Sequence, residues 1–253
     1  MFTKAILRKP GRSLVKGLRS SDLGTPDHSL ALRQHASYVE ALWQCGLETI
    51  VLEADEDYPD SVFIEDVALL TPCCAVITRP GAESRRGEIY EMKKVLGEHY
   101  EQIYEIEKPG TIEAGDIMMV GKHFFIGISE RTNIEGARQM ISFLESNGMA
   151  GSTIDLEKVL HLKTGVAYLE NNNLLACSEF LKRKEFSSFN IIDVDPAESY
   201  AANCIWVNDN VLVPSGYPIT RQRIKDAGYK TIEVDVSEFR KLDGGLSCLS
   251  LRF

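Results

Sequence analysis

Glu113-Ala114-Gly115-Asp116-Ile117-Met118-Met119-Val120, then Gly121-Lys122, then Phe124-Phe125-Ile126-Gly127 reads as a strand, a tight turn and a returning strand. Two apolar runs joined by a glycine-containing turn are the signature of a β-hairpin. The arrangement recurs. Val62-Phe63-Ile64-Glu65-Asp66-Val67-Ala68-Leu69 turns at Thr71-Pro72 and returns as Ala75-Val76-Ile77-Thr78. Thr164-Gly165-Val166-Ala167-Tyr168-Leu169 pairs with Leu174-Leu175-Ala176 across Asn171-Asn172-Asn173. Asn203-Cys204-Ile205-Trp206-Val207 pairs with Val211-Leu212-Val213 across Asn208-Asp209-Asn210. Further strand signals follow at Thr153-Ile154, Ile191-Ile192 and Thr231-Ile232-Glu233-Val234. The repeating unit is hairpin, helix, strand, with a spacing of roughly 40 to 50 residues that suits propeller-like arrays.

The clearest helix opens at Thr132-Asn133-Ile134-Glu135, a capping-box pattern, and stops at Gly148. Ala137, Met140, Ile141 and Leu144 form its apolar stripe. An earlier helix opens at Thr25-Pro26-Asp27 and runs to about Cys45, with Gly46 as its stop. Leu32, His35, Val39 and Leu42 share one face of it, so His35 reads as packed rather than catalytic. Ala5 to Arg8 and Thr49 to Leu52 read as strands, Pro10 to Pro26 as a polar stretch, and Glu53 to Asp60 as an acidic loop. Four units are complete. The fifth has to be assembled from Leu246 to Arg252 and Phe2 to Arg8, which joins both ends of the chain in one sheet and closes a ring. The expected fold is therefore α/β, a single domain over residues 1–253 built as a five-bladed propeller.

Lys and Arg number 28 against 37 Asp and Glu, a net charge of −9. That balance argues against a nucleic-acid or anionic-membrane partner and leaves room for a small cationic ligand. No apolar run approaches the roughly 20 residues of a spanning helix, and Met1 to Arg8 lacks a signal-peptide core, so the expected location is the cytoplasm. Cys45, Cys73, Cys74, Cys177, Cys204 and Cys248 show no C-x-x-C spacing and are expected as free thiols. The adjacent pair Cys73-Cys74 reads as structural. The H-E-x-x-H, P-loop and G-x-G-x-x-G patterns do not occur, so neither metal nor cofactor is expected.

In a ring of repeats, the first strand of every hairpin starts at an equivalent place. Asp60, Glu65 and Asp66 stand near one such start, Glu113 and Asp116 at the next, His161 before the third, and Cys248 in the last. Strands converging on a centre would gather carboxylates, an imidazole and a thiol there. Buried carboxylates so close together repel unless a cation sits among them. Gly244-Gly245 just before Cys248 leaves room for a ligand or another backbone. Each residue also has a structural reading. Cys248 suits a small core position, Glu65-Asp66 a solvated strand end, Asp116 a turn or a support for its neighbours, His161 a satisfied core site, and Arg85 and Arg131 the surface.

Asp60-Ser61-Val62-Phe63-Ile64-Glu65-Asp66, Arg79-Pro80-Gly81-Ala82-Glu83-Ser84-Arg85-Arg86-Gly87-Glu88, Gly110-Thr111-Ile112-Glu113-Ala114-Gly115-Asp116, His161-Leu162-Lys163-Thr164-Gly165 and Asp243-Gly244-Gly245-Leu246-Ser247-Cys248 together carry a resemblance. In order and spacing, essentially from end to end, the chain resembles the bacterial dimethylarginine dimethylaminohydrolases of the guanidino-group-modifying superfamily. That resemblance implies the five-bladed pentein propeller and hydrolysis of N-omega-methylated arginines to citrulline. It assigns Cys248 as nucleophile, His161 as general acid and base, and Glu113 as the carboxylate on the guanidinium. Asp66, with Asp60 and Glu65, would hold the remaining guanidinium nitrogens or order that wall, and Arg85 and Arg131 would bind the substrate's α-carboxylate. A lid around Leu18, with backbone near Leu18 and Leu242, would meet the amino-acid end.

The resemblance also implies a homodimer. Rival readings are an arginine deiminase, whose extra helical insertion has no room here, and a non-catalytic propeller that binds a partner. Zinc on Cys248, His161 and a carboxylate would be an inhibitor rather than a cofactor, since four-ligand spacing is missing.

Overall fold

The protein's structure, a computed structural model, describes residues 1–20, 22–157 and 159–253. It has two compact units, Met1–Ile64 with Gly165–Phe253, and Glu65–Thr164.

The first unit begins with β1 (Lys4–Arg8) and β2 (Glu48–Leu52), paired in parallel, with a helix over His28–Gln44 between them in sequence. Asp27 caps that helix by accepting the Leu30 N–H at 2.9 Å, and Gly46 ends it in the left-handed region at φ +84°. His35, Val39 and Leu42 are buried as their spacing requires, whereas Leu32 is 39% exposed. Burial pushes the His35 imidazole down to about 4, so it stays neutral in the core.

The second unit holds two sheets of one design. β3 (Ala68–Leu70), β4 (Ala75–Ile77) and β5 (Ile103–Glu105) form the first, antiparallel then parallel. β6 (Ile117–Val120), β7 (His123–Ile128) and β8 (Ala150–Asp155) form the second. A parallel third strand demands a crossover, and the helices Ile89–Gly97 and Ile134–Ser146 supply them. Phe124, Ile126, Ala137, Met140 and Leu144 belong to the core beneath. The Ile134–Ser146 helix is capped by Asn133, whose side chain accepts the Gly136 N–H at 2.8 Å, and not by the expected Thr132. Thr132 is occupied elsewhere, as described below.

The chain then returns to the first unit. β9 (Val166–Tyr168), β10 (Asn173–Ala176) and β11 (Asn190–Asp193) repeat the pattern, with 3-10 turns in place of a crossover α-helix. β12 (Ile205–Val207), β13 (Asn210–Pro214) and β14 (Lys230–Val234) repeat it with a helix over Pro218–Asp226. The predicted turns bear positive φ at Asn171, Asn172, Asn208 and Asp209, residue types that tolerate it in tight hairpins. β15 (Leu251–Arg252) lies antiparallel on β1, which gives the sheet order β15-β1-β2. The expected joining of the two ends of the chain in one sheet is thus present.

One regularity departs from the sequence reading. A helical turn precedes the first strand of each hairpin: Ile64–Val67 before β3, Ala114–Asp116 before β6, Leu162–Gly165 before β9 and Pro196–Ala202 shortly before β12. Ser247–Leu249 likewise precedes β15. Val62 to Leu69, Glu113 to Val120, and Leu246 to Arg252 were each expected to be extended throughout. A continuous apolar run has no period that separates a buried turn from a buried strand. Glu65, Asp66, Glu113, Asp116, His161 and Cys248 sit in or beside these turns.

Among the described residues, no helix is long and apolar enough to cross a membrane. All six cysteines are free thiols.

Candidate active site

The second unit gathers a network of buried charge. Asp66, in the turn before β3, accepts the Gly115 N–H on Oδ1 at 3.0 Å and Arg85 Nη1 on Oδ2 at 2.6 Å. Glu88 holds the far side of the same guanidinium, accepting Arg85 Nε at 3.0 Å and Nη2 at 2.9 Å. A planar, doubly gripped guanidinium is the strongest form of this pair. Asp66, Arg85 and Glu88 are all buried. Burial penalises the charges of Asp66 and Arg85, but the partners prevail. Asp66 is held below the usual carboxylate range by His161, Arg85 and the Gly115 N–H, and Arg85 is driven well above its ordinary value by Glu88 and Asp66.

Glu113 stands just before the Ala114–Asp116 turn. Its Oε2 lies 2.9 Å from His161 Nε2, its Oε1 accepts the Ala82 N–H at 3.1 Å, and Arg131 Nη1 lies 3.8 Å from that Oε1. The Ala82 contact explains the Arg79-Pro80-Gly81-Ala82 stretch. A Cβ on Gly81 would lie 2.4 Å from the Arg131 carbonyl oxygen, so only glycine lets the two backbones meet there.

Asp116 is fully buried and anchors two loops at once. Its Oδ2 accepts Ser129 Oγ–H at 2.7 Å and Thr132 Oγ1–H at 2.6 Å, and its Oδ1 accepts the Leu162 N–H at 3.0 Å. Ser129 in turn accepts the Arg131 N–H at 3.0 Å. One carboxylate thereby fixes the turn after His161 and the loop bearing Arg131. Burial raises its pKa above the ordinary value even so.

Burial opposes a charged His161, but Asp116, Asp66 and Glu113 outweigh it and lift the imidazole to about 9. The ring therefore carries a proton at neutral pH. Gly115 packs beneath it, where a Cβ would lie 3.0 Å from His161 Nδ1 and 2.8 Å from Asp66 Oδ1. Asp66, Glu113 and His161 offer ligand atoms within 4.8 Å of one another, and the two carboxylates are the part of the cluster that favours a cation. Glu65, also buried, pairs with Lys163 Nζ at 2.6 Å.

The first unit places four predicted residues. Leu18 donates its N–H to the buried Asp60 Oδ1 at 2.9 Å. Gly17 lies between Asp60 and Leu242, with a hypothetical Cβ 2.8 Å from Asp60 Oδ1 and 3.1 Å from Leu242 Cδ1. Leu18, Asp60 and Leu242 are thus neighbours. Ser21, in the same polar stretch, lies outside the described residues. The Ser20 N–H is accepted by Asp243 Oδ2.

Cys248 occupies the Ser247–Leu249 turn, half-buried, with its N–H donated to the Gly245 carbonyl at 3.2 Å. The glycines before it serve their own unit rather than a ligand. A Cβ on Gly244 would lie 2.1 Å from Phe63 Cε1, and one on Gly245 would lie 2.5 Å from Asn203 Cγ. Asn203 clamps the turn, accepting the Ser247 N–H at 2.9 Å and donating Nδ2 to Ser247 Oγ at 3.1 Å. Tyr200 Oη donates to the Gly244 carbonyl at 2.8 Å.

Sequence reasoning passed over Glu88, Ser129, Thr132 and Ser247, although each binds a residue it had chosen, and Asn203, which binds Ser247. Short polar side chains near motif residues were the available signal.

The family profile described as N,N dimethylarginine dimethylhydrolase, eukaryotic, matches residues 25–250. The chain is 59% identical to the N(G),N(G)-dimethylarginine dimethylaminohydrolase of Pseudomonas aeruginosa, over the full length of both. A solved cysteine-to-serine variant of the Pseudomonas aeruginosa protein, complexed with citrulline, superposes with a TM-score of 0.99 over all of both chains at 59% identity. A histidine-to-glycine variant of a dimethylarginine dimethylaminohydrolase, solved as an adduct with S-methyl-L-thiocitrulline, matches with the same coverage, identity and TM-score. The five small sheets described above are those of that fold, the five-bladed α/β pentein propeller.

Proposed function

The chain belongs to the dimethylarginine dimethylaminohydrolase family, and on that premise we propose that it hydrolyses N-omega-methylated arginines to citrulline and a methylated amine. The observation that carries the reading is the Asp66–Glu113–His161 cluster, in a chain 59% identical throughout to the Pseudomonas aeruginosa enzyme.

In this reading the two compact units work as one domain. Cys248 is the nucleophile, His161 the acid and base, and Glu113 the guanidinium carboxylate. Asp66, Asp60 and Glu65 complete or order the guanidinium wall. Arg131 and Arg85 serve the α-carboxylate, a task for forked donors. Arg85 reaches it from a guanidinium already oriented by Glu88 and Asp66. Leu18 and Leu242 frame the amino-acid end.

A guanidinium resists attack because its charge is spread over three nitrogens. Carboxylates on those nitrogens fix its plane and present the central carbon to sulfur. The Cys248 thiolate adds to that carbon and gives a tetrahedral adduct. His161, protonated at neutral pH, gives its proton to the departing methylated nitrogen as the C–N bond breaks. The neutral imidazole then takes a proton from water as it attacks the S-alkylthiouronium, the C–S bond breaks, the second water proton passes to solvent, and citrulline and thiolate are released.

A cytoplasmic location accords with six free thiols, and sedimentation velocity tests the homodimer. The direct test is citrulline release from asymmetric dimethylarginine and from arginine, with Cys248→Ser as control. Release from the methylated substrate alone, lost in the variant, is the expected result. Release from arginine alone would make the protein a deiminase, and release from neither would return it to the binding proteins.

A further inference from the structure

Outside the carboxylate network, one polar arrangement is built with more care than packing requires. Asn203 is buried, and its amide orientation is dictated by its partners. The Ser247 N–H is a donor, so the atom 2.9 Å from it must be the carbonyl Oδ1. The other atom is then Nδ2, which donates to Ser247 Oγ at 3.1 Å. Ser247 Oγ also lies 3.8 Å from Cys248 Sγ. A hydroxyl that already accepts a bond from an amide keeps its single proton to give elsewhere.

We propose that Asn203 and Ser247 form a relay that turns the Ser247 hydroxyl proton onto Cys248 Sγ and so stabilises its thiolate form relative to the thiol. A thiolate has no proton to offer, so in that state the Oγ–Sγ bond runs one way only. A donor to the charged form favours it. Gly245 belongs to the device, since a Cβ there would occupy the position of the Asn203 amide. Ser247 is one residue before the cysteine and fully enclosed, so it positions and tunes the sulfur without needing to touch substrate. The relay deepens the reading of Cys248 as nucleophile and rests on it.

The test is the ultraviolet thiolate absorbance of the intact chain titrated against pH, with Cys248→Ser subtracted. Ser247→Ala should move the midpoint upward by about one unit, and slow iodoacetamide alkylation at pH 7 about tenfold. Ser247→Thr, which keeps the hydroxyl, should restore both. Asn203→Asp should act like Ser247→Ala, because a carboxylate at that site draws the hydroxyl proton to itself. An unchanged midpoint in Ser247→Ala with native circular dichroism overturns the relay, as does Asn203→Asp matching the wild type. Citrulline release by the unmodified protein is scored separately. Its absence counts against the nucleophile reading, whereas its presence beside an unmoved titration counts against the relay alone.

Discussion

Asp116 accepts the Leu162 backbone N–H at 3.0 Å, so a carboxylate at the mouth of β6 carries the turn that presents His161. The same side chain holds the Ser129 and Thr132 hydroxyls, and through Ser129 the loop of Arg131. It joins His161, the proposed acid and base, to Arg131, proposed for the substrate's carboxylate.

Asp116→Asn keeps an oxygen for Leu162 but removes a charge that raises the His161 pKa. The basic limb of kcat/KM against pH, expected near 9 in the unmodified enzyme, should move to lower pH in the variant. A loss of roughly 1–3 kcal/mol in stability should accompany it. A variant with reduced activity and an unmoved limb would show that Asp116 acts on structure only.

Gly115→Ala would place a methyl against His161 Nδ1 and Asp66 Oδ1. Displacing an acid-base group by part of an ångström costs up to about a hundredfold in rate. The expected variant has kcat lowered by about ten- to a hundredfold and a melting temperature near that of the wild type. Steady-state kinetics on asymmetric dimethylarginine decide it, and full activity would mean the loop absorbs the methyl.

His161 contributes stability with a definite sign. Its folded pKa, about 9, lies above its ordinary value, so the contribution is complete below about 6.5 and disappears as pH rises through about 9. The linkage ceiling is on the order of 3 kcal/mol. Urea midpoints measured between pH 6 and pH 10 should fall for the wild type and fall less for His161→Gln. Parallel slopes in the two proteins would refute the assignment.

Glu88→Ala removes one of the two carboxylates on a buried guanidinium. Stripping one partner from a buried pair typically costs about 3–5 kcal/mol, because the remaining charge is left uncompensated. Chemical denaturation should show a loss of that order, and KM should rise more than kcat falls as Arg85 loses its orientation. Glu88→Gln, which keeps one acceptor for the guanidinium, should fall between.

The hairpins were legible because their turns are written in local residue types. Asn171-Asn172 and Asn208-Asp209 accept positive φ where most residues do not. The closing sheet was legible because Phe2–Arg8 and Leu246–Arg252 were the strand-like runs left over once four units had been assembled. The turns before the strands were not, since Glu113 to Val120 has the same apolar appearance whether its first residues coil or extend. The site was legible only as residue types. Its wiring joins positions far apart in sequence, with Asp66 to Gly115 spanning 49 residues and Glu113 to His161 spanning 48. Spacing along a chain does not reveal which carboxylate grips a guanidinium and which carries a backbone N–H. Gly244 and Gly245 illustrate the limit, because the room they leave is taken by Phe63 and Asn203.

β1 is flanked by β2 on one side and by β15 on the other, and the stretch Glu65–Thr164 between them in sequence forms a unit of its own. On the ribosome this order has a consequence. The stretch holding the histidine and its carboxylates is complete in sequence before β9 has been made, whereas β1 waits for a partner that follows the cysteine. Domains generally fold as units during synthesis. The nascent chain thus completes the stretch carrying His161 and its carboxylates first, and Cys248 follows only with β15.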